Sequence, residues 1–440
     1  MSKIKRTVGI YTLGCKVNQY ESQAVAEECE RLGFSVVSPS EICDAYIINT
    51  CTVTAESDRK ARQFIRRAIS KNPAAAIVVM GCMSQTSPDS AAAIEGVDAV
   101  LGNTDKLSAA HIAWDIVNGR GKCSPPMIIN KDIDTAPFEK MSITAFERTR
   151  AYIKIEDGCE SRCTYCIIPS ARGSIRSKPM AEVLSEVEAL TGSGCREVVL
   201  TGIETASYGK DLGDTDLATL LCRVDKIDGI GRVRLGSLDP SLIKRDFVER
   251  IAALPSLAPH FHLSLQSGSS RILALMKRKY NAEQAMKAME LLREYIPGVK
   301  FTTDIIVGFP GETEEDFMQT VEFVKKADFL MTHIFPYSKR KGTPAASMSG
   351  QISKEEKSRR LHLLSEIEQA SRTAILQREI EERPVRTVLF ETWRDGVATG
   401  HTSDFLEVSV PSPTPLDAEL KTVKLYRTDG RLLYGELENF

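Results

Sequence analysis

The chain has 440 residues, of which 42% are hydrophobic, so it can form two to four domains with separate cores. Its formal net charge of -2 gives no overall sign of a nucleic-acid partner, and its first residues lack the continuous apolar run of a signal peptide. No membrane span is visible, and we therefore expect a cytoplasmic protein. Eleven cysteines in that reducing compartment indicate metal binding rather than a disulfide framework.

Residues 1–119 predict a small α/β domain. Apolar runs alternate with helical periodicity, as in a parallel sheet covered by helices of the Rossmann or flavodoxin type. The predicted strands are residues 7–14, 45–50, 76–81 and 99–102. The alternation is lost over residues 120–144, where three prolines occur, and these residues are predicted to form an extended linker.

Residues 145–380 repeat a strand and a helix six times. The predicted strands are residues 151–157, 197–203, 232–237, 260–265, 300–309 and 330–337. Two of the helices that follow begin with a capping signature, formed by Thr313 with Asp316 and by Ser353 with Glu356. Six units predict an incomplete (β/α)6 barrel rather than the closed barrel of eight units.

Residues 381–440 predict a small all-β module. Strand-like stretches at 385–391, 406–410 and 420–426 are followed by Asp429 and Gly430, a pair typical of a hairpin turn. Small barrels of this kind bind nucleic acid. Residues 378–440, however, hold 8 basic and 12 acidic residues, a net charge of -4 that departs from this expectation.

The central motif is a C-x3-C-x2-C spacing formed by Cys159, Cys163 and Cys166, directly after the first strand of the six-fold repeat. Cysteine thiolates hold iron–sulfur clusters, and three thiolates leave one of four irons open for a small molecule with amino and carboxylate groups. Structural zinc is the alternative. It requires four closed ligands, and the next cysteine, Cys195, lies before a strand with no histidine near the motif.

A second set of cysteines lies in the first domain. Cys15, Cys51 and Cys82 each directly follow a predicted strand. Because the carboxyl ends of parallel strands share one edge of a sheet, the three thiols are predicted to meet there. This arrangement is compatible with a second three-cysteine cluster. The alternative is ordinary packing, because small buried cysteines near strand ends are common.

Polar and glycine residues at the same end of the barrel strands are candidate contacts for a bound nucleoside. Turns and structural hydrogen bonds are the alternative explanation. The candidates are Tyr165, Thr201, Gly202, Gln266, Asp304 and Gly308.

The helix predicted after Cys51 has one strongly basic face. Residues 57–71 contain six basic residues and one acidic residue. The predicted buried positions are Ala61, Phe64, Ile65, Ala68 and Ile69, and the predicted outer positions are Arg59, Lys60, Arg62, Arg66 and Arg67. Such a face can neutralise phosphates or can simply be solvated.

Five sequence segments carry a resemblance to a known family: TLGCKVNQ at 12–19, INTCTVT at 48–54, GCMSQ at 81–85, YCIIPSARG at 165–173 and GFPGE at 308–312. Together they resemble the radical S-adenosylmethionine methylthiotransferases along nearly the whole chain. The CKVNQYE form of the first segment is similar to the branch that acts on threonylcarbamoyladenosine beside the tRNA anticodon.

The resemblance implies three parts: a methylthiotransferase domain, a radical core and a C-terminal RNA-binding barrel called TRAM. It implies two [4Fe-4S] clusters, on the two cysteine sets, and S-adenosylmethionine. The first cluster would generate a 5′-deoxyadenosyl radical that activates carbon 2 of the base. The second would carry the sulfur that is methylated and transferred. The implied partners are the anticodon stem-loop of tRNA, touched by the basic helix, and an electron donor such as flavodoxin or ferredoxin.

Two groups of alternatives remain open from the sequence. One keeps this chemistry but changes the substrate to isopentenyladenosine in tRNA or to an aspartate of a ribosomal protein. The other is an iron–sulfur redox sensor that binds nucleic acid without catalysis. Six strand–helix units with polar residues at one rim favour an enzyme over a sensor.

Overall fold

The computed structural model describes residues 5–145 and 149–438, and in these ranges no helix is both long and apolar enough to cross a lipid bilayer. The strands of the first domain are β1 Thr7–Thr12, β2 Ser35–Val37, β3 Ala45–Thr50, β4 Ala76–Gly81, β5 Ala99–Leu101 and β6 Met127–Ile129. Its helices are α1 Lys16–Leu32, α2 Ala55–Lys71, α3 Cys82–Thr86, α4 Pro88–Ala92 and α5 Ser108–Asp115. The strands form one parallel sheet in the order β2-β1-β3-β4-β5-β6.

All four strands predicted for this domain are present, and the parallel sheet is confirmed. The strand β6 lies within residues 120–144, which were predicted to be an extended linker. That prediction was wrong for this stretch, because Met127 pairs with Ala99 and the sheet continues past residue 119. A strand of three residues after a proline gives no periodic signal that the sequence could show. The short strand β2 was missed for the same reason.

The second domain contains six long parallel strands and a short antiparallel pair. Its strands are β7 Arg150–Lys154, β8 Glu156–Asp157, β9 Arg176–Ser177, β10 Glu197–Thr201, β11 Arg232–Leu235, β12 His260–Gln266, β13 Lys300–Val307 and β14 Met331–Pro336. Its helices are α6 Ile168–Arg172, α7 Met180–Gly192, α8 Leu217–Val224, α9 Arg245–Ala252, α10 Ser270–Leu275, α11 Ala282–Tyr295, α12 Glu314–Ala327 and α13 Lys354–Glu382.

The six long strands form the predicted incomplete barrel. They build two parallel groups, β11-β10-β7 and β12-β13-β14, which are joined by an isolated bridge between Leu238 and Leu263. The strands β7 and β14 are the two edges. Both predicted helix caps are present: Thr313 and Asp316 form a reciprocal capping box, and the Ser353 hydroxyl accepts a hydrogen bond from the helix α13.

The third domain is a closed five-stranded barrel in the order β15-β16-β17-β19-β18, with β15 Val385–Arg394, β16 Val397–Thr402, β17 Glu407–Pro411, β18 Leu420–Thr428 and β19 Leu433–Leu437. The predicted hairpin at Asp429 and Gly430 joins β18 to β19. This barrel covers the amino ends of the strands of the second domain. Phe405 stacks between His260 and His401, with ring centroids 4.5 Å and 4.8 Å away, and Glu391 pairs with Arg150.

A buried ion network joins the first domain to the second. Glu21 of α1 is fully buried and accepts hydrogen bonds from Arg172 at 2.5 Å, Lys154 at 2.9 Å and Lys106 at 3.0 Å. Arg172 also donates to Asn18 at 2.6 Å. Burial alone raises the pKa of Glu21, but Arg172 and the two lysines hold this pKa well below its usual value. Glu21 is therefore a carboxylate, and its removal would leave buried cations uncompensated.

We expect Glu21→Gln to lower the free energy of unfolding by about 3–5 kcal/mol, because breaking a buried ion network leaves unpaired charges in a low-dielectric interior. The measurement is urea denaturation of the full-length chain at neutral pH. Because the folded pKa of Glu21 is depressed, its contribution is present above the unfolded pKa of about 4.3. The contribution is lost as the pH falls through the folded pKa.

Glu30 of the same helix is the matched control, since its side chain is exposed. Glu30→Gln should change the free energy of unfolding by less than about 0.5 kcal/mol. Equal stabilities for the two variants would contradict a structural role for the Glu21 network.

Candidate active site

The loop that carries Cys159, Cys163 and Cys166 is fixed at both ends. Gly158 has a φ of 89°, and a Cβ at this position would lie 1.9 Å from the carbonyl oxygen of Ser174, so only glycine fits. The backbone N–H of Cys159 donates to the carbonyl oxygen of Gly173 at 2.9 Å. The three cysteines lie on one wall of a cavity of about 350 Å³. The three cysteines of the motif therefore lie around one cavity.

Charged side chains to which the sequence assigned no role surround these thiols. Arg278 donates to the sulfur of Cys163 at 3.2 Å, and Glu204 lies 3.3 Å from the sulfur of Cys159. Glu204 also accepts a hydrogen bond from Ser161 at 2.7 Å. Burial raises the pKa values of Cys159 and Cys166 to about 12. The free thiols are thus protonated at neutral pH, and metal binding must displace protons from them.

Three of the predicted nucleoside contacts line the cavity: Tyr165, Gln266 and Asp304. Gln266 has a φ of 75° next to an irregularity in the pairing of β12 with β13. A non-glycine residue in this conformation is strained, and such strain is concentrated at functional sites, where a bulge redirects a side chain. The rim of the barrel therefore presents polar groups beside the cysteine loop.

The other three predicted contacts, Thr201, Gly202 and Gly308, are not brought to the wall of this cavity. Thr201 is a buried residue at the end of β10. A Cβ at Gly202 would lie 2.5 Å from the carboxylate of Glu156, and one at Gly308 would lie 2.3 Å from the side chain of Lys357. Both glycines provide space for neighbouring side chains.

The second cysteine set meets at the carboxyl edge of the first sheet, as predicted. Cys51 and Cys82 directly follow Thr50 and Gly81, which are register partners in the strands β3 and β4. Cys15 precedes α1, and a Cβ on its neighbour Gly14 would lie 3.1 Å from the sulfur of Cys51. The thiols of this set thus belong to one site, although they are far apart in sequence.

The segment after the Cys159 loop contacts this second set. Asn103 donates to the sulfur of Cys82 at 3.5 Å and to the carbonyl oxygen of Ala171 at 2.7 Å. Arg172 follows, and its charge acts on both Cys15 and Cys82. The sequence showed Arg172 only as part of a motif, because its partners lie in another domain.

The segment after Cys51 reaches the cavity of the first cysteine site. Val53 and Thr54, which follow Cys51, line the same cavity as Cys159 and its loop. Val53 is 51% exposed although it is apolar. Among the described residues neither set forms a group of three ligand atoms that all lie within 4.8 Å of one another, so neither has the close ligand spacing of a single structural zinc ion.

The helix α2 has the predicted two-sided character. Ala61, Ile65 and Ala68 are buried, and Phe64 stacks on Tyr11 with ring centroids 3.4 Å apart. Arg59 pairs with Glu56 of the same helix. The remaining cations of this face, called the α2 basic face below, have no ion-pair partner among the described residues: Lys60, Arg62, Arg66 and Arg67.

Comparisons with known proteins agree with this geometry. A model of the Radical SAM superfamily matches residues 153–324, and a model of the Uncharacterized protein family UPF0004 matches residues 7–102. The radical S-adenosylmethionine methyltransferase TsrM from Kitasatospora setae has a TM-score of 0.57 and 18% identity, covering 78% of this chain and 74% of that chain. At this identity the likeness shows the fold alone. The chain is therefore a radical S-adenosylmethionine enzyme, which uses that cofactor with a [4Fe-4S] cluster.

Similar proteins of known name identify the family within the radical S-adenosylmethionine enzymes. The threonylcarbamoyladenosine tRNA methylthiotransferase MtaB of Bacillus subtilis (strain 168) is 38% identical, covering 96% of this chain and 94% of that protein. The MtaB of Thermotoga maritima is 42% identical over 82% of this chain and 81% of that protein. A tRNA-2-methylthio-N(6)-dimethylallyladenosine synthase of Desulfitobacterium hafniense (strain Y51) is 34% identical over 99% of this chain and 98% of that protein. The chain belongs to the family of threonylcarbamoyladenosine tRNA methylthiotransferases.

Proposed function

We propose that the protein adds a methylthio group to carbon 2 of N6-threonylcarbamoyladenosine next to the anticodon of tRNA. The observation that carries this proposal is that Val53 and Thr54, which follow Cys51 of the second site, line the same cavity as the three cysteines of the first site. The carbon–hydrogen bond at carbon 2 is not acidic enough for acid–base catalysis, so a cofactor must supply the difficult step. The relatives named for this nucleoside support the choice of substrate.

We propose that Cys159, Cys163 and Cys166 hold the [4Fe-4S] cluster that binds S-adenosylmethionine. When bound, this pair supplies one-electron chemistry that produces an organic radical. The chain contributes charge and shape around the cysteines. Arg278, hydrogen-bonded to Cys163, stabilises the negative charge of a metal-bound thiolate, and Glu204 orients the loop through Ser161.

We further propose that Cys15, Cys51 and Cys82 hold a second [4Fe-4S] cluster that carries the sulfur to be transferred. Buried thiolates need compensating charge, and Arg172 supplies it between the two sites. Burial raises the pKa of Cys51 to about 12, so this site, like the first, must lose protons when metal binds.

The remaining predicted residues have two proposed roles. Tyr165, Gln266 and Asp304 contact the bound cofactor or nucleoside from the cavity wall. The other three residues support the rim by packing and make no direct contact: Thr201, Gly202 and Gly308. Because they are small or tightly packed, Glu156 and the helix α13 can approach the rim.

We propose three working units: the first domain up to the strand β6, a radical core over residues 145–380 and a TRAM barrel over residues 381–440. The tRNA is held by the α2 basic face. The reaction takes place in the cytoplasm, where a small electron donor such as flavodoxin or ferredoxin provides reducing equivalents.

The function is tested by nucleoside mass spectrometry of tRNA from a strain that lacks this gene. The methylthio derivative of threonylcarbamoyladenosine should be lost, and the unmodified precursor should accumulate. The wild-type gene should restore the derivative, whereas Cys163→Ser should not, because it removes one thiolate of the first site. Persistence of the derivative in the deletion strain would contradict the substrate assignment.

The α2 basic face gives a second test. We expect Arg62→Glu with Arg66→Glu to weaken binding of the anticodon stem-loop by about 10- to 100-fold and to reduce the slope of log affinity against log salt by about 2, because two phosphate contacts are lost. The measurement is a titration by fluorescence anisotropy at several salt concentrations.

The matched control reverses two exposed lysines outside α2: Lys226→Glu, in the turn after α8, and Lys326→Glu, on α12. The control makes the same change in net charge but alters no cation of the α2 basic face. It should therefore leave the salt slope nearly unchanged. Equal effects of the two double variants would show that net charge, and not the α2 basic face, governs binding.

A further inference from the structure

A layer of polar side chains adjoins the cavity at the barrel strands, and one of its members, Asp304, lines the cavity. His262, Asp304 and His333 stand on the adjacent strands β12, β13 and β14, and Asp304 pairs in register with His333. Side chains two positions apart share one face of a strand, so this layer adjoins cavity-lining residues of the same strands, such as Ile306 and Phe335. Nε2 of His262 is 3.2 Å from the carboxylate of Asp304. We call these three residues the inner polar layer.

One cation without an ion-pair partner in the described chain lies near the inner polar layer. Lys16, next to Cys15 at the start of α1, lies within electrostatic reach of Asp304 and His333. Among residues 5–145 and 149–438, no carboxylate lies within 4.0 Å of its ammonium nitrogen. Arg234 lies near Lys16 and is paired with Glu197 through Nε at 3.0 Å, but its buried Nη1 atom has no hydrogen-bond partner among the described residues. Unpaired buried donors are costly unless a ligand satisfies them.

The inner polar layer is open to a ligand from the edge of the barrel. His333 is exposed on the edge strand β14. Phe335, on the same face of β14, is 45% exposed and lines the cavity. Val53 of the first domain is also exposed and lines this cavity. Apolar side chains exposed at a cavity between two domains are suited to the faces of an extruded base.

We propose that the inner polar layer and Lys16 bind the threonylcarbamoyl substituent of the target nucleoside, with Lys16 paired to its carboxylate. This inference rests on the proposed function and adds how the substrate is chosen. A threonyl group brings one carboxylate, one hydroxyl and the N–H groups of its urea linkage. Asp304, held in place by His262, accepts hydrogen bonds from the N–H and hydroxyl donors, and the imidazole of His333 completes the polar contacts.

The same arrangement rejects an apolar substituent. A dimethylallyl group offers no acceptor to Lys16 and no donor to Asp304, so its binding would bury Lys16 without an acceptor and leave Asp304 with His262 alone. Sites built to hydrogen-bond a substrate discriminate strongly against analogues that lack the matching group. The charges of Lys16, next to Cys15, and of Asp304 thus determine which of the two tRNA substrates binds.

A divalent cation is the other ligand that two histidines and a carboxylate can hold. Two observations disfavour it. Both ring nitrogens of His262 are already engaged, Nδ1 with Thr302 at 2.9 Å and Nε2 with Asp304 at 3.2 Å. The positive charge of Lys16 also opposes a metal ion.

The test compares two anticodon stem-loop RNAs, one with threonylcarbamoyladenosine and one with the methyl ester of its carboxylate. Wild-type holoenzyme should have an apparent KM about 10- to 100-fold lower for the free acid, since one charge-assisted hydrogen bond distinguishes the two RNAs. Lys16→Met should remove this preference, and Lys16→Arg should retain part of it. The product is measured as the methylthio nucleoside by mass spectrometry.

Lys326→Met, an exposed lysine on α12, is the matched control and should keep the full preference. Equal KM values for acid and ester in the wild type, or an undiminished preference in Lys16→Met, would overturn the inference while the proposed function stands. Stoichiometric zinc in the wild type that is lost in His333→Ala would replace it with a metal site. If the wild type converts neither RNA, the proposed function itself fails, and the inference with it.

Discussion

The buried contact between Arg172 and Glu21 is the interaction on which the rest of the site depends. Arg172 follows the Cys159 loop in sequence, whereas Glu21 follows Cys15, so one ion pair fixes the separation of the two cysteine sites. Lys106, Lys154 and Asp157 extend the pair into a network in which three cations face two carboxylates. A negatively charged cluster beside it would offset that excess, which links domain docking to cofactor binding.

The third domain is held by the same kind of interaction at the opposite end of the barrel. Arg232 donates to carbonyl oxygens of Thr387 and His401, and Glu391 pairs with Arg150. Part of the acidic charge of residues 378–440 is therefore used to dock this domain on arginines of the core. Its net charge of -4 describes the isolated tail, not the surface that the assembled protein offers to RNA.

Features governed by neighbours in sequence were predictable, and features governed by other domains were not. The β3 and β4 strands and the Thr313 cap follow from local patterns, and the meeting of Cys51 with Cys82 follows from parallel-sheet geometry. The roles of Arg278 and Glu204 could not be assigned from the sequence, because a charged residue resembles a solvated one until its partner across the fold is known. The three-residue strand β6 is likewise defined by its pairing.

The central claim is that the two cysteine sites each hold a [4Fe-4S] cluster. Its most direct test is the iron content, with the Mössbauer spectrum, of anaerobically reconstituted protein. The wild type should contain about eight irons per chain. Changing Cys15, Cys51 and Cys82 together to alanine should leave about four, as should changing Cys159, Cys163 and Cys166. About eight irons in the variant that lacks Cys15, Cys51 and Cys82, or about four irons in the wild type, would contradict the claim.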